Sequence, residues 1–173
     1  YHVAELSRAE ALRMQDRLGE AIEVLEGLTE THGELPVVHT TLGDYLRQDE
    51  RYAAAVDAYT EALARFPEVT EQHWFLFYAS AISYERQDKW EPAEADFRKA
   101  LDLNPGQPQV LNYLGYSLVE KRMKLDEALD MIERAVEARP NSGYIVDSLG
   151  WVLYRLGRYE EAVPHMERAA ELM

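Results

Sequence analysis

Small residues return along this chain at a nearly constant interval. Ala21, Ala55, Ala93, Ala128 and Ala162 are separated by 34, 38, 35 and 34 positions. Seven residues after each comes a second series: Leu28, Ala62, Ala100, Ala135 and Ala169. Twelve or thirteen before each comes a third: Ala9, Gly43, Ala81, Gly115 and Gly150. Pro67, Pro105 and Pro140 follow in step. Large apolar residues such as Leu111, Leu118, Ile132 and Met166 lie between the small ones at helical spacing. A period of this length, held over five units, means a repeat array whose units bury their apolar faces only against neighbours.

Each unit is predicted to be two antiparallel helices, A then B. The small residues at Gly115, Gly150, Ala93, Ala128 and Ala162 let the two backbones approach, and the large ones fill the space around them. The A–B turns read Arg17-Leu18-Gly19, Glu50-Arg51-Tyr52, Lys89-Trp90, Lys124-Leu125 and Arg158-Tyr159, each with one large apolar residue at the corner. Pro67, Pro105 and Pro140 end the B helices, because proline lacks the N–H the next turn needs and biases its predecessor away from helix. Asn104-Pro105-Gly106 and Pro140-Asn141-Ser142-Gly143 are the clearest breaks, with Asn141 or Ser142 as the next N-cap. The 38-residue step puts four extra residues near Glu68–His73, so that connection is longer or the following A helix starts a turn early. One extra residue within Lys121–Lys124 lengthens the fourth A–B turn. Pro92 falls in a first helical turn, where it is tolerated, and Pro164 about one turn in, where a slight kink is expected.

Finer detail carries a resemblance. Leu114-Gly115 and Leu149-Gly150 precede Leu118 and Leu153 by three, and Ala-x-x-x-aromatic occurs as Ala55…Tyr59 and Ala93…Phe97. With the second alanine and the closing proline, this pattern resembles the tetratricopeptide repeat over nearly the whole chain. The resemblance implies an all-α, right-handed solenoid forming a single array over 1–173. Its units read 2–35, 36–73, 74–107, 108–142 and 143–173. The first is degenerate, with Arg8 where leucine is usual and Gly33 where proline is usual. The last is expected to be truncated, since Met173 comes before the usual terminating break.

Composition narrows the function. Of 173 residues, 47% are hydrophobic and 29% charged, the profile of a folded chain. The 9 Gly and 7 Pro are too few for many strands and tight turns. The formal net charge of −14 argues against nucleic acid or an anionic membrane as partner. The absence of cysteine removes disulfides, thiolate metal sites and a thiol nucleophile, and fits the cytoplasm and the bacterial periplasm or envelope equally. No apolar run reaches the length of a bilayer span, so no membrane contact by this segment is expected. A start at Tyr1 without an initiator Met suggests an excerpt of a longer protein.

Catalytic and cofactor motifs are missing: there is no G-x-G-x-x-G, P-loop, H-E-x-x-H, EF-hand loop or G-x-S-x-G. Of the five histidines, none are at i, i+4 spacing, and His32 and His39 straddle Pro36, so no metal site is expected. Carboxylate pairs such as Asp126-Glu127 and Glu160-Glu161 open B helices, where they complement the helix dipole. A non-enzymatic chain without cofactors follows.

The resemblance also implies which face binds: the A helices line a concave groove. Counting the small A-helix residue as eighth, slots 2, 5, 6, 9, 12 and 13 face that groove. In the third to fifth units these slots hold seven aromatics in eighteen, against none in twelve in the first two. Tyr78, Arg86, Asn112, Tyr113, Tyr116, Tyr144, Trp151, Tyr154 and Arg155 are therefore the candidate ligand-binding residues, with rigid rings supplying contact area at low entropic cost. The competing reading makes Phe75, Tyr116, Tyr144 and Trp151 inter-repeat core, because slots 2 and 9 often pack against the next unit. Members that bind chaperone tails grip a carboxylate with Lys and Asn. Here the comparable slots hold Thr40, Thr41, Asp44, Tyr78, Ala79 and Ile82, and no such clamp is evident. The stretches Leu114–Leu118 and Asp147–Tyr154 look like those of large proteobacterial repeat proteins, some of them envelope lipoprotein adaptors. Two functions are left to weigh. One is an interaction scaffold holding a protein or peptide partner in the groove. The other is a self-assembly module forming homo-oligomers through exposed repeat ends.

Overall fold

Ten α-helices and one 3-10 turn make up the computed structural model, which describes residues 1–173 and contains no strand. The helices are α1 (His2–Met14), α2 (Leu18–Thr31), α3 (Pro36–Gln48), α4 (Tyr52–Arg65), α5 (Trp74–Glu85), α6 (Trp90–Leu103), α7 (Pro108–Glu120), α8 (Leu125–Ala138), α9 (Gly143–Arg155) and α10 (Tyr159–Leu172). Proline marks both kinds of boundary. Pro36 and Pro108 open α3 and α7, where a missing N–H costs nothing, and Pro67, Pro105 and Pro140 follow the ends of α4, α6 and α8. Ser142 takes the N-cap of α9 without a side-chain bond, while Asn141 accepts from Arg168 instead, at 2.9 Å. Helix α10 runs on through Pro164.

The A–B turns share one device. The second residue after each A helix, or the third after α5, is left-handed: Asp16, Glu50, Asp88, Arg122 and Gly157, with φ between 56° and 78°. The following N–H then reaches the carbonyl five residues back, from Arg17 to Leu12, Arg51 to Leu46, Lys89 to Tyr84, Met123 to Leu118 and Arg158 to Leu153, at 2.8–3.0 Å. This closure satisfies carbonyls that a helix end leaves open and fixes where the B helix starts. In the fourth turn the extra residue adds a second left-handed position, Lys124. The four extra residues after α4 form a longer connection carrying its own 3-10 turn, Glu71–His73. There His73 Nδ1 accepts from the Thr70 N–H at 2.9 Å and the imidazole packs on Phe66.

Two compact units divide the chain, Tyr1–Leu103 and Asn104–Met173. In the first, α1 to α6 pack each against the next in order, and the core runs from Ala9 and Leu12 through Leu25, Val38 and Leu46 to Tyr59 and Leu76. Tyr59 is fully buried, yet its hydroxyl is satisfied by donating to Asp44 at 2.7 Å and accepting from Arg47 at 3.1 Å. In the second unit α7 packs on α8, α8 on α9 and α9 on α10, and α7 also touches α9. Leu111, Leu114, Leu118, Ile132 and Ile145 are its fully buried core. Ala128 and Ala162 are buried, and a Cβ on Gly150 would stand 2.7 Å from Met166 Cγ. Small residues thus set how closely the hairpin helices approach.

Candidate protein-binding site

The face shared by α7 and α9 carries most of the candidate residues. Helical spacing puts Asn112, Tyr113, Tyr116 and Glu120 along one side of α7, and Tyr144, Trp151, Tyr154 and Arg155 along one side of α9. Contact between α7 and α9 brings the C-terminal ends of these rows together. The Trp151 indole N–H donates to Glu120 Oε1, and the same oxygen lies 3.7 Å from Arg155 Nη1. The Arg155 guanidinium also sits over the Trp151 ring, 5.5 Å from its centroid. Tyr154 stacks on Trp151 with centroids 5.6 Å apart, and Tyr159 closes on Tyr154 edge-first at 5.2 Å. Together these form an aromatic ladder, locked at one end by an ion pair.

The ladder rings are pre-oriented yet accessible, with Tyr154 47% and Tyr159 58% exposed. On the same face Tyr116 is 41% and Tyr144 54% exposed. Partial burial, then the nearby carboxylates Glu120 and Asp147, raise the Tyr116 hydroxyl pKa above its usual value, while Arg155 opposes them. Tyr116 therefore stays a neutral hydroxyl, able to donate and accept. Asn112 is buried on α7, and its Oδ1 has no hydrogen-bond partner. Tyr113 is half-buried.

The remaining two candidates lie on α5, in the first unit. Tyr78 is half-buried, with its ring 5.8 Å from Trp74 and 6.2 Å from the fully buried Phe97. Arg86 is exposed and stacks over Tyr52 at 5.5 Å. Of the four rings that the packing reading assigns to inter-repeat core, Phe75, Tyr116 and Tyr144 are exposed and Trp151 is half-buried. Two contributors escaped the site reading of the sequence. Tyr159 read only as a corner residue of the last turn, and Glu120, at slot 13 of the fourth unit, was not among the candidate residues. The signal for Glu120 was its place beside Trp151 and Arg155 in the slot pattern.

No three His, Asp or Glu side chains converge as metal ligands would. His39 is buried, and its Nε2 bonds the Gly33 carbonyl oxygen at 2.8 Å. His32 stacks against Tyr1 and His2. No helix is long and apolar enough to cross a membrane.

Ten helices paired through small residues are what the repeat pattern requires, and comparison with known proteins decides the family. The tetratricopeptide repeat family matches over residues 40–76, 78–143 and 121–172, more than half of the chain. The chain belongs to the tetratricopeptide repeat family. A repeat-containing protein of Pseudomonas aeruginosa is 25% identical over 169 residues, which are 97% of this chain and 28% of that protein. The chain thus spans under a third of that relative's length. Among solved structures, MamA of Desulfovibrio magneticus superposes with a TM-score of 0.84 at 16% identity, covering 98% of this chain and 93% of MamA. YrrB, described as a tetratricopeptide protein with an unusual peptide-binding site, gives 0.73 at 19% identity, covering 98% and 84%. At these identities the likeness is one of fold. Arrays of this family serve in general as protein-interaction scaffolds.

Proposed function

We propose that this chain is a non-enzymatic scaffold that holds a peptide or protein segment along the face formed by α7 and α9. The observation that carries the reading is the accessible ladder of Trp151, Tyr154 and Tyr159, held at one end by Glu120 and Arg155, with Tyr116 exposed on the same face. Large aromatics dominate binding energy at protein interfaces, and rings already held in place lose little entropy when a ligand arrives. Tyr144 extends the same helix face, whereas Asn112 is buried beneath it and its Oδ1 is not accessible to a ligand. YrrB supports peptide capture on an array of this fold. The charge of −14 disfavours nucleic acid and anionic lipid as alternatives.

Peptide display against the whole chain, followed by backbone amide shift mapping with a selected peptide, tests the proposal. Perturbations are expected at Tyr116, Trp151 and Tyr154 and their helix neighbours. Shifts confined to α1 to α4, or mass that rises with concentration and no captured peptide, would instead indicate another surface or self-association.

A further inference from the structure

Next to the aromatic ladder, the fourth A–B turn opens a cavity of about 260 Å³ lined by Val119, Arg122, Leu125 and Arg155. Its chemistry is unlike the rest of the chain. The connection Lys121-Arg122-Met123-Lys124 puts three cations in four positions of a protein whose net charge is −14. Arg122 is exposed, and its guanidinium makes no ion pair or hydrogen bond within the chain. The Arg155 side chain is only 21% exposed, yet its guanidinium makes no hydrogen bond. Its one ionic contact is the 3.7 Å approach to Glu120, beyond hydrogen-bond length. Glu120 and Trp151 fix the direction of that guanidinium and leave its donors unused. Two guanidinium groups over an apolar floor of Val119 and Leu125 make a receptor for a carboxylate.

Resting on the peptide-scaffold reading above, we infer that this pocket takes an aspartate or glutamate side chain of the segment bound on the α7–α9 face. The lining selects that source over a chain terminus. A C-terminal residue brings its own N–H, which needs an acceptor, and the side chains here offer only donors and apolar surface. An acidic side chain brings only acceptors and methylenes, which match that lining. Arg122 holds the left-handed place that every A–B turn shares, and the extra residue of this turn adds a second, at Lys124. Long-range attraction from the basic turn would speed the encounter and weaken as salt is added.

Two randomised display libraries test the inference, one with peptides held internally and one with free C-termini. Peptides selected from the internal library should share an acidic residue at one position. Against a synthetic, end-blocked peptide of that sequence, Arg122→Glu should lower affinity about tenfold or more, and Arg122→Gln should lower it less. Replacing the peptide's acidic residue by lysine should restore binding to Arg122→Glu and weaken it to the parent chain. Far-UV circular dichroism should show both variants folded. Peptides that depend on Tyr154 but show no acidic preference, or that ignore both Arg122 variants, would overturn this inference and leave the scaffold reading standing. Acid selected only with free C-termini would assign the pocket to a terminal carboxylate and overturn it too. Failure of both libraries would remove the scaffold reading and this inference together.

Discussion

Gly115 of α7 lies so close to Ile132 of α8 that a Cβ added to the glycine would stand 2.7 Å from Ile132 Cγ1 and 3.1 Å from the Ala128 carbonyl oxygen. Ile132 is fully buried and the carbonyl is backbone, so neither can give way. Gly115→Ala is therefore expected to destabilise the chain by roughly 1–3 kcal/mol, against the usual gain for Gly→Ala inside a helix. At Gly150 the nearest atom belongs to the flexible, half-buried Met166, and Gly150→Ala should cost less. Ala162→Leu, at a fully packed position of α10, should again cost roughly 1–3 kcal/mol. Urea unfolding of the three variants gives the ranking.

The left-handed turn residues make a prediction of opposite sign. Glu50 has φ 61° and Gly157 φ 78° at equivalent places in their turns. Only glycine adopts this conformation without steric cost. Glu50→Gly should be neutral or stabilise by up to about 1 kcal/mol, whereas Gly157→Ala should destabilise by about 1 kcal/mol. Thermal melting of both variants checks the pair.

A titration prediction follows from Asp96 on α6. Its carboxylate is half-buried and accepts a hydrogen bond from Ser80 Oγ at 2.8 Å. Burial raises its pKa, and the Ser80 bond opposes this only in part. A carboxyl whose folded pKa exceeds its unfolded value of about 3.9 binds its proton more tightly in the native state. It therefore favours folding at low pH, and this benefit is lost as pH rises through the folded pKa. Asp96→Asn should melt higher than the parent chain at pH 7, with the advantage shrinking towards pH 3.5. An advantage independent of pH would mean the charge is not the cause.

How far the sequence spoke depends on which interactions are local. Helix pairs, proline stops and the longer connection near His73 follow from spacing and from what proline does to a backbone, so they were legible. The left-handed positions were not, because four of the five hold Asp, Glu, Asp and Arg rather than glycine. The bond from the N–H after each turn to the carbonyl five residues back sets that conformation against residue preference. Burial of His39 depends on the Gly33 carbonyl facing it, and the Glu120–Trp151 bond joins residues 31 positions apart. Exposure at Phe75, Tyr116 and Tyr144 was open in the sequence, since one slot number serves both packing and binding.

Tyr78 and Tyr154 separate those two roles. Tyr78 packs on Phe97 and Trp74 in the first unit, so Tyr78→Ala should lower the melting temperature distinctly, in the direction of the roughly 3–5 kcal/mol of a fully buried ring. Tyr154 is 47% exposed, and Tyr154→Ala should leave melting nearly unchanged.

Titration of a display-selected peptide against the parent chain and the Tyr154→Ala variant, with melting followed on the same samples, tests the central claim most directly. Affinity is expected to fall by about 2 kcal/mol, some 30-fold, at unchanged stability. Equal affinity for both chains, or a loss matched by a collapse in melting temperature, would contradict a binding role for the α7–α9 face.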